Sequence, residues 1–75
     1  MTPEDVLANV LAVARSEIHE DTSNRTVAEW DSLAHVTLIL ELERIYSVSF
    51  SMEDALALTD LASIKRVLQE RGAQW

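Results

Sequence analysis

The segment from Leu33 to Tyr46 is the most apolar part of the sequence, and it limits the possible folds more than any other feature. Apolar side chains cover most of the circumference of a helix here, and they are Leu33, Val36, Leu38, Ile39, Leu40, Leu42 and Ile45. The one polar stripe, at spacings of three and four, consists of Ala34, Thr37, Glu41 and Arg44. We therefore predict a central helix with this stripe pointing outward.

The amino-terminal segment predicts a first helix. Thr2 can cap it, and Pro3 suits its first position, where a missing N–H costs nothing. Apolar residues then recur at helical spacing, at Leu7, Val10, Leu11, Ala14 and Ile18. We expect this helix to end near Ile18.

Two further helices are predicted near the carboxyl end. The run from Ser51 to Asp54 has the form of a capping box and opens a short helix through Ala57. Thr59-Asp60 caps a final helix, and Gly72 supplies its carboxyl-terminal stop. The apolar stripe of that helix consists of Leu61, Ile64, Val67 and Leu68.

The polar stretch from His19 to Asp31 breaks the helical pattern. Its side chains compete for backbone hydrogen bonds, which favours an ordered loop. Val27 and Trp30 are expected to pin this loop to the core. The fold is therefore predicted to be all-α, with three main helices, one short helix, and the long loop between the first two.

Composition restricts the kind of function. With 75 residues and 48% hydrophobic side chains, the chain suits one domain, residues 1–75, too small for the deep cavity of a self-contained enzyme. A formal charge of −7 disfavours nucleic acid and anionic membranes, and favours partners with basic surfaces. Without cysteine, thiol chemistry requires an added group. The absence of a long apolar segment or a signal sequence predicts a soluble, cytoplasmic protein.

Ser32 is the main candidate functional residue. Either Asp31 or Ser32 can cap the central helix, and a plain cap is one interpretation of the pair. The alternative is that an exposed hydroxyl at a helix amino terminus holds a phosphodiester, because the free N–H groups and the helix dipole favour an anion.

Other polar clusters carry weaker signals. His35, with Ile39 and Leu42 as helical neighbours, is predicted to be a partly buried histidine with a hydrogen bond, and a phosphate contact is the alternative. A hydrolytic triad with Ser32 lacks a nucleophile elbow. The run from His19 to Asp21 has no second cluster at metal-site spacing, so no metal is predicted.

Taken in order, these features resemble the acyl carrier protein family over nearly the whole chain. The resemblance rests on the long loop that leads to Asp31-Ser32-Leu33 and on the apolar helix after it. Tyr46, Phe50 and the Thr59-Asp60-Leu61 run fall at matching positions. It implies a right-handed four-helix bundle with a 4'-phosphopantetheine arm on Ser32.

The resemblance also implies roles and partners. A phosphopantetheinyl transferase would attach the arm, Asp31 would help that enzyme hold Mg²⁺, and Leu33 would contact it. Acyl-loading and acyl-processing enzymes, such as a ligase, an acyltransferase or a ketosynthase, would recognise the stripe Ala34, Thr37, Glu41 and Arg44. The chain itself would be a monomer and not an enzyme.

Two departures refine this expectation. Arg44 interrupts a face that is usually negative, and the residues before Asp31 are Ala28-Glu29-Trp30, where many carrier domains have a glycine. The second feature resembles discrete carriers of specialised pathways. The expected function is an acyl carrier of fatty acid, polyketide or other specialised biosynthesis, and the alternatives are an aminoacyl or peptidyl carrier and an unmodified helical adaptor.

Overall fold

The computed structural model describes residues 1–75 and contains four α-helices without a β-sheet. They are α1 (Pro3–Leu11), α2 (Ser32–Tyr46), α3 (Met52–Ala57) and α4 (Leu61–Glu70), with a 3₁₀ turn at Arg15–Glu17 between α1 and α2. The predicted all-α fold, with one short helix and a long loop after the first, is confirmed. No helix is long and apolar enough to span a membrane.

The first helix is shorter than its sequence pattern predicts. Thr2 and Asp5 cap it reciprocally, but it ends at Leu11 rather than near Ile18. Ala12 adopts the left-handed conformation with φ of 57°, and the Val13 amide donates to the Ala8 carbonyl, which closes the helix end. The expected extension was therefore wrong. Ile18 is nevertheless buried, because the 3₁₀ turn redirects the chain towards the core.

The core lies between α1, α2 and α4, and α1 packs against both of the other two. It consists of thirteen buried apolar residues, which are Val6, Leu7, Ala8, Leu11, Ile18, Trp30, Leu38, Leu42, Leu58, Leu61, Ile64, Val67 and Leu68. The predicted stripe of α4 is confirmed in full. Removal of this apolar surface from water is the main source of stability in a chain without disulfides.

The helix α2 buries less of its apolar surface than the sequence suggests. Only Leu38 and Leu42 are fully buried. Leu33, Val36 and Leu40 remain 77%, 56% and 59% exposed. The central helix is thus in the core on one side and presents a second, apolar face to solvent.

The loop before α2 is ordered by backbone contacts with the segment that precedes α4. The Asn24 amide donates to the Thr59 carbonyl, and the Leu61 amide donates to the Thr22 carbonyl, both at 3.0 Å. Val27 packs against the core and Trp30 is only 4% exposed. Both residues anchor the loop as predicted, and the loop places Asp31 at the start of α2.

Candidate functional site

Ser32 is the first residue of α2, and its side chain is exposed. Asp31 is the N-cap: its Oδ1 accepts a hydrogen bond of 2.9 Å from the Ala34 amide. Of the two capping arrangements that the sequence left open, the structure has the one with Asp31. The Ser32 hydroxyl consequently makes no capping hydrogen bond.

The electrostatics at this helix start favour an anion. The Ala34 and His35 amides are bonded to Asp31, whereas the amides of Ser32 and Leu33 precede the first intrahelical bond. These two N–H groups and the positive end of a fifteen-residue helix lie beside the Ser32 oxygen. A phosphodiester on that oxygen would be stabilised by both.

A shallow depression, the Ser32 hollow, adjoins the hydroxyl. It brings together the loop, α2, α3 and the residue before Asp60, and its lining residues are Asn24, Trp30, Asp31, Ser32, His35, Val36, Leu56 and Thr59. The only charged side chain in it is that of Asp31. Any cation that binds a phosphate here must therefore come from a partner or from solution.

A surface groove lined mainly by apolar residues, the α2–α3 groove, adjoins the Ser32 hollow. Both depressions share His35, Val36 and Leu56, and the groove runs on to Phe50 and Met52. Phe50 is partly buried against the core, whereas Met52 is 82% exposed. Leu58 and Leu61 lie in the core and do not line the groove. The groove offers mainly apolar side chains to whatever lies beside Ser32.

The predicted polar stripe of α2 is only partly exposed. Thr37 and Arg44 are exposed, Glu41 is half-buried, and Ala34 packs against the core, so the expectation that Ala34 points outward was wrong. Arg44 bonds both oxygens of Glu41, at 3.3 and 2.7 Å. This hydrogen bonding from Arg44 lowers the pKa of the Glu41 carboxyl. The face is therefore largely neutralised rather than negative.

His35 is partly buried and hydrogen-bonded, as predicted. Its two ring nitrogens contact Trp30 Nε1 at 3.0 Å and the Ala55 carbonyl oxygen at 2.7 Å. The sequence identified Trp30 as an anchor but did not reveal its bond to His35. Nor did it place Asn24, Leu56 and Thr59 at the site, because those residues come from separate segments and carry no shared pattern.

The site has the donor set that an attached pantetheinyl phosphate requires. It combines an exposed hydroxyl, two free amides at a helix start and an adjoining depression with polar and apolar walls. Asp31 Oδ2 has no partner within the chain and is free to bind a cation. These residues fit the group.

Comparisons with known proteins agree with this geometry. The family model described as "Phosphopantetheine attachment site" matches residues 4–68. The chain is also 36% identical, over 66 residues, to a non-reducing polyketide synthase from Didymella fabae. That match covers 88% of the chain but only 2% of the much longer synthase. The chain therefore belongs to the phosphopantetheine attachment family, the carrier proteins that hold 4'-phosphopantetheine covalently.

Proposed function

We propose that this protein is an acyl carrier protein and that its arm is attached to the Ser32 oxygen. The observation that carries the proposal is the position of Ser32, an exposed first residue of α2 whose hydroxyl has no role in capping. The family match spans this position. Other exposed serines, such as Ser16, do not begin a long helix.

Neighbouring residues would prepare this hydroxyl for modification. Asp31 holds the helix start through Oδ1 and leaves Oδ2 for the Mg²⁺ of a phosphopantetheinyl transferase. Leu33, at 77% exposure, would contact that transferase. The two free amides would stabilise the phosphate on the Ser32 oxygen.

The arm would supply a thiol that carries acyl groups as thioesters, which this chain without cysteine cannot do alone. The chain contributes binding surfaces and makes or breaks no bond itself. The α2–α3 groove would shelter an apolar part of the cargo between Val36, Phe50 and Met52. Tethering would raise the concentration of the cargo at a partner's active site.

The proposed partners are the transferase and the enzymes that load and process the acyl group. They would recognise α2 through Thr37, Glu41 and Arg44, with Ala34 at the edge of the contact. The similarity to a polyketide synthase favours polyketide-type intermediates as cargo. We propose that the chain acts as a monomeric domain in the cytoplasm.

Intact-mass measurement tests the attachment site. The protein is incubated with coenzyme A, Mg²⁺ and a broad-specificity phosphopantetheinyl transferase. We expect wild type and the matched control Ser16→Ala to gain one phosphopantetheinyl group, and Ser32→Ala to gain none. Because the Ser32 side chain makes no hydrogen bond, Ser32→Ala should fold normally. A wild type without mass gain, or a Ser32→Ala variant with it, would contradict the proposal.

A further inference from the structure

His35, which lines the Ser32 hollow, makes two hydrogen bonds through its side chain. Trp30 Nε1 donates to His35 Nδ1 at 3.0 Å, and the two rings are stacked with centroids 6.2 Å apart. His35 Nε2 lies 2.7 Å from the Ala55 carbonyl oxygen. One imidazole thus connects the end of the loop, the first turn of α2 and the helix α3.

The hydrogen-bond partners of His35 determine the protonation state and the tautomer of its imidazole ring. The indole nitrogen of Trp30 can only donate a hydrogen bond, so His35 Nδ1 must accept and carries no proton. The ring proton is then on Nε2, which donates to the Ala55 carbonyl. The ring is therefore neutral, with one tautomer selected by its two neighbours.

The bond to Ala55 satisfies a carbonyl that α3 cannot satisfy itself. The helix ends at Ala57, and the Thr59 amide, which would otherwise reach Ala55, donates to the Ala57 carbonyl. No residue of α3 is fully buried. Leu58, directly after the helix, is buried in the core, and polar contacts such as this one hold the residues of α3 itself.

The same side chain fixes two walls of the hollow beside the proposed attachment site. Trp30 forms the wall on the loop side, and Leu56, the neighbour of Ala55, forms the wall on the α3 side. Without the imidazole nitrogens, each wall loses a hydrogen bond to α2. The distance between the walls would then be free to vary.

We propose that His35 is a positioning residue, whose neutral Nε2–H tautomer joins Trp30 to Ala55 and so sets the shape of the hollow next to Ser32. The role of the hollow rests on the proposed carrier function, but the junction itself does not. It can be tested on the unmodified full-length chain. A failed junction and a failed carrier assignment are therefore distinguishable.

The side chains of Asn and Gln can separate the two halves of the junction. In His35→Asn, the amide oxygen can replace Nδ1 as acceptor for Trp30 but nothing reaches Ala55. In His35→Gln, the longer side chain can donate to the Ala55 carbonyl but leaves the indole without its acceptor. His35→Phe keeps a ring and removes both bonds. The matched control is His19→Gln, which changes the other histidine of the chain, an exposed residue.

Nuclear magnetic resonance with amide exchange measures the outcome. In wild type and His19→Gln, we expect an Nε2–H tautomer at His35 and slow exchange of the Trp30 indole N–H. Exchange of the Leu58 amide, which closes α3, should become about five- to tenfold faster in His35→Asn and remain slow in His35→Gln. Exchange of the Trp30 indole N–H should become faster in His35→Gln and remain slow in His35→Asn. In His35→Phe, the Leu58 amide and the Trp30 indole N–H should both exchange faster.

Two results would overturn the proposal. One is an Nδ1–H tautomer in wild type, which can be measured even if a variant fails to fold. The other is a His35→Phe variant with wild-type exchange at both positions, which would mean that ring volume alone suffices. The mass gain at Ser32, measured separately, bears on the carrier function and not on this junction.

Discussion

The helices α3 and α4 adjoin each other in sequence but are held by different forces. In α4, four residues are buried in the core: Leu61, Ile64, Val67 and Leu68. In α3 no residue is buried, and the helix is held by the buried Leu58 directly after its last residue, by its Ser51 cap, by His35 and by an ion pair between Asp54 and Arg71. The residues of α3 itself, which form one wall of the site, are thus held mainly by polar contacts, whereas apolar packing stabilises α4 and the adjoining Leu58.

The difference matters for a protein that has to accommodate a tethered group. Segments with many buried apolar contacts open at a free-energy cost close to that of global unfolding, whereas a helix with no buried residue of its own can open locally. Movement of α3 with Leu58 kept in place would widen the α2–α3 groove without exposing the core. The comparison therefore predicts that equal substitutions in the two helices have unequal effects.

The largest expected effect comes from truncation of a leucine in each helix. Leu61→Ala leaves a cavity in the core and should lower the free energy of unfolding by about 2 to 5 kcal/mol. Leu56→Ala removes the same atoms from a residue that is 73% exposed, and it should change the free energy of unfolding by less than about 0.5 kcal/mol. Urea unfolding measures both. Similar losses in the two variants would remove the distinction between the helices.

An intermediate effect is expected at the two helix caps. Asp60 Oδ1 accepts from the Ser63 amide at 2.7 Å, and Ser51 Oγ accepts from the Asp54 amide at 3.0 Å. Asp60→Ala should lower the global free energy of unfolding by about 1 kcal/mol, because α4 belongs to the core. Ser51→Ala should instead accelerate amide exchange within α3 alone, with little change in the urea midpoint.

The opposite pattern would contradict this expectation. If Ser51→Ala shifted the urea midpoint as far as Asp60→Ala does, α3 would unfold together with the core. The two helices would then form one cooperative unit, and opening of the groove would require global unfolding.

Local signals in the sequence predicted some of these features and missed others. The caps at Ser51 and Asp60 and the apolar stripe of α4 were predicted, because a cap and a helical period depend on residues a few positions apart. The end of α1 was not, since Ala12 and Ala14 are good helix formers and the left-handed turn depends on how Ile18 docks in the core.

Local sequence signals likewise predicted some features of the candidate site and missed others. Asp31 and Ser32 were predicted from a helix start and a motif, and their placement at the start of α2 agrees. The exposure of Val36 and Leu40 was not predicted, because a helix that is apolar on most sides does not reveal which side the core takes. The junction of Trp30, His35 and Ala55 joins residues up to 25 positions apart, so no local period reveals it.

The smallest expected effect concerns the acid dependence of α3. Hydrogen bonding from Arg71, and then from the Ser51 amide, lowers the pKa of the Asp54 carboxyl below its ordinary value of 3.8. A lowered folded-state pKa means that the stabilisation is present above the unfolded value and is lost as the pH falls through the folded one. The α3 contacts should therefore be intact at neutral pH and weaken only in strong acid.

Removal of the guanidinium tests this assignment. In Arg71→Gln, the pKa of Asp54, followed by carboxyl resonances, should rise towards 3.8 without reaching it, because the Ser51 amide still donates. The carboxyl of Asp5, whose pKa is lowered mainly by the Thr2 amide, is the internal control and should not move. An unchanged Asp54 would mean that Arg71 does not tether α3 in solution. The helix would then depend on Leu58, on its Ser51 cap and on His35, and the contrast with α4 would be sharper still.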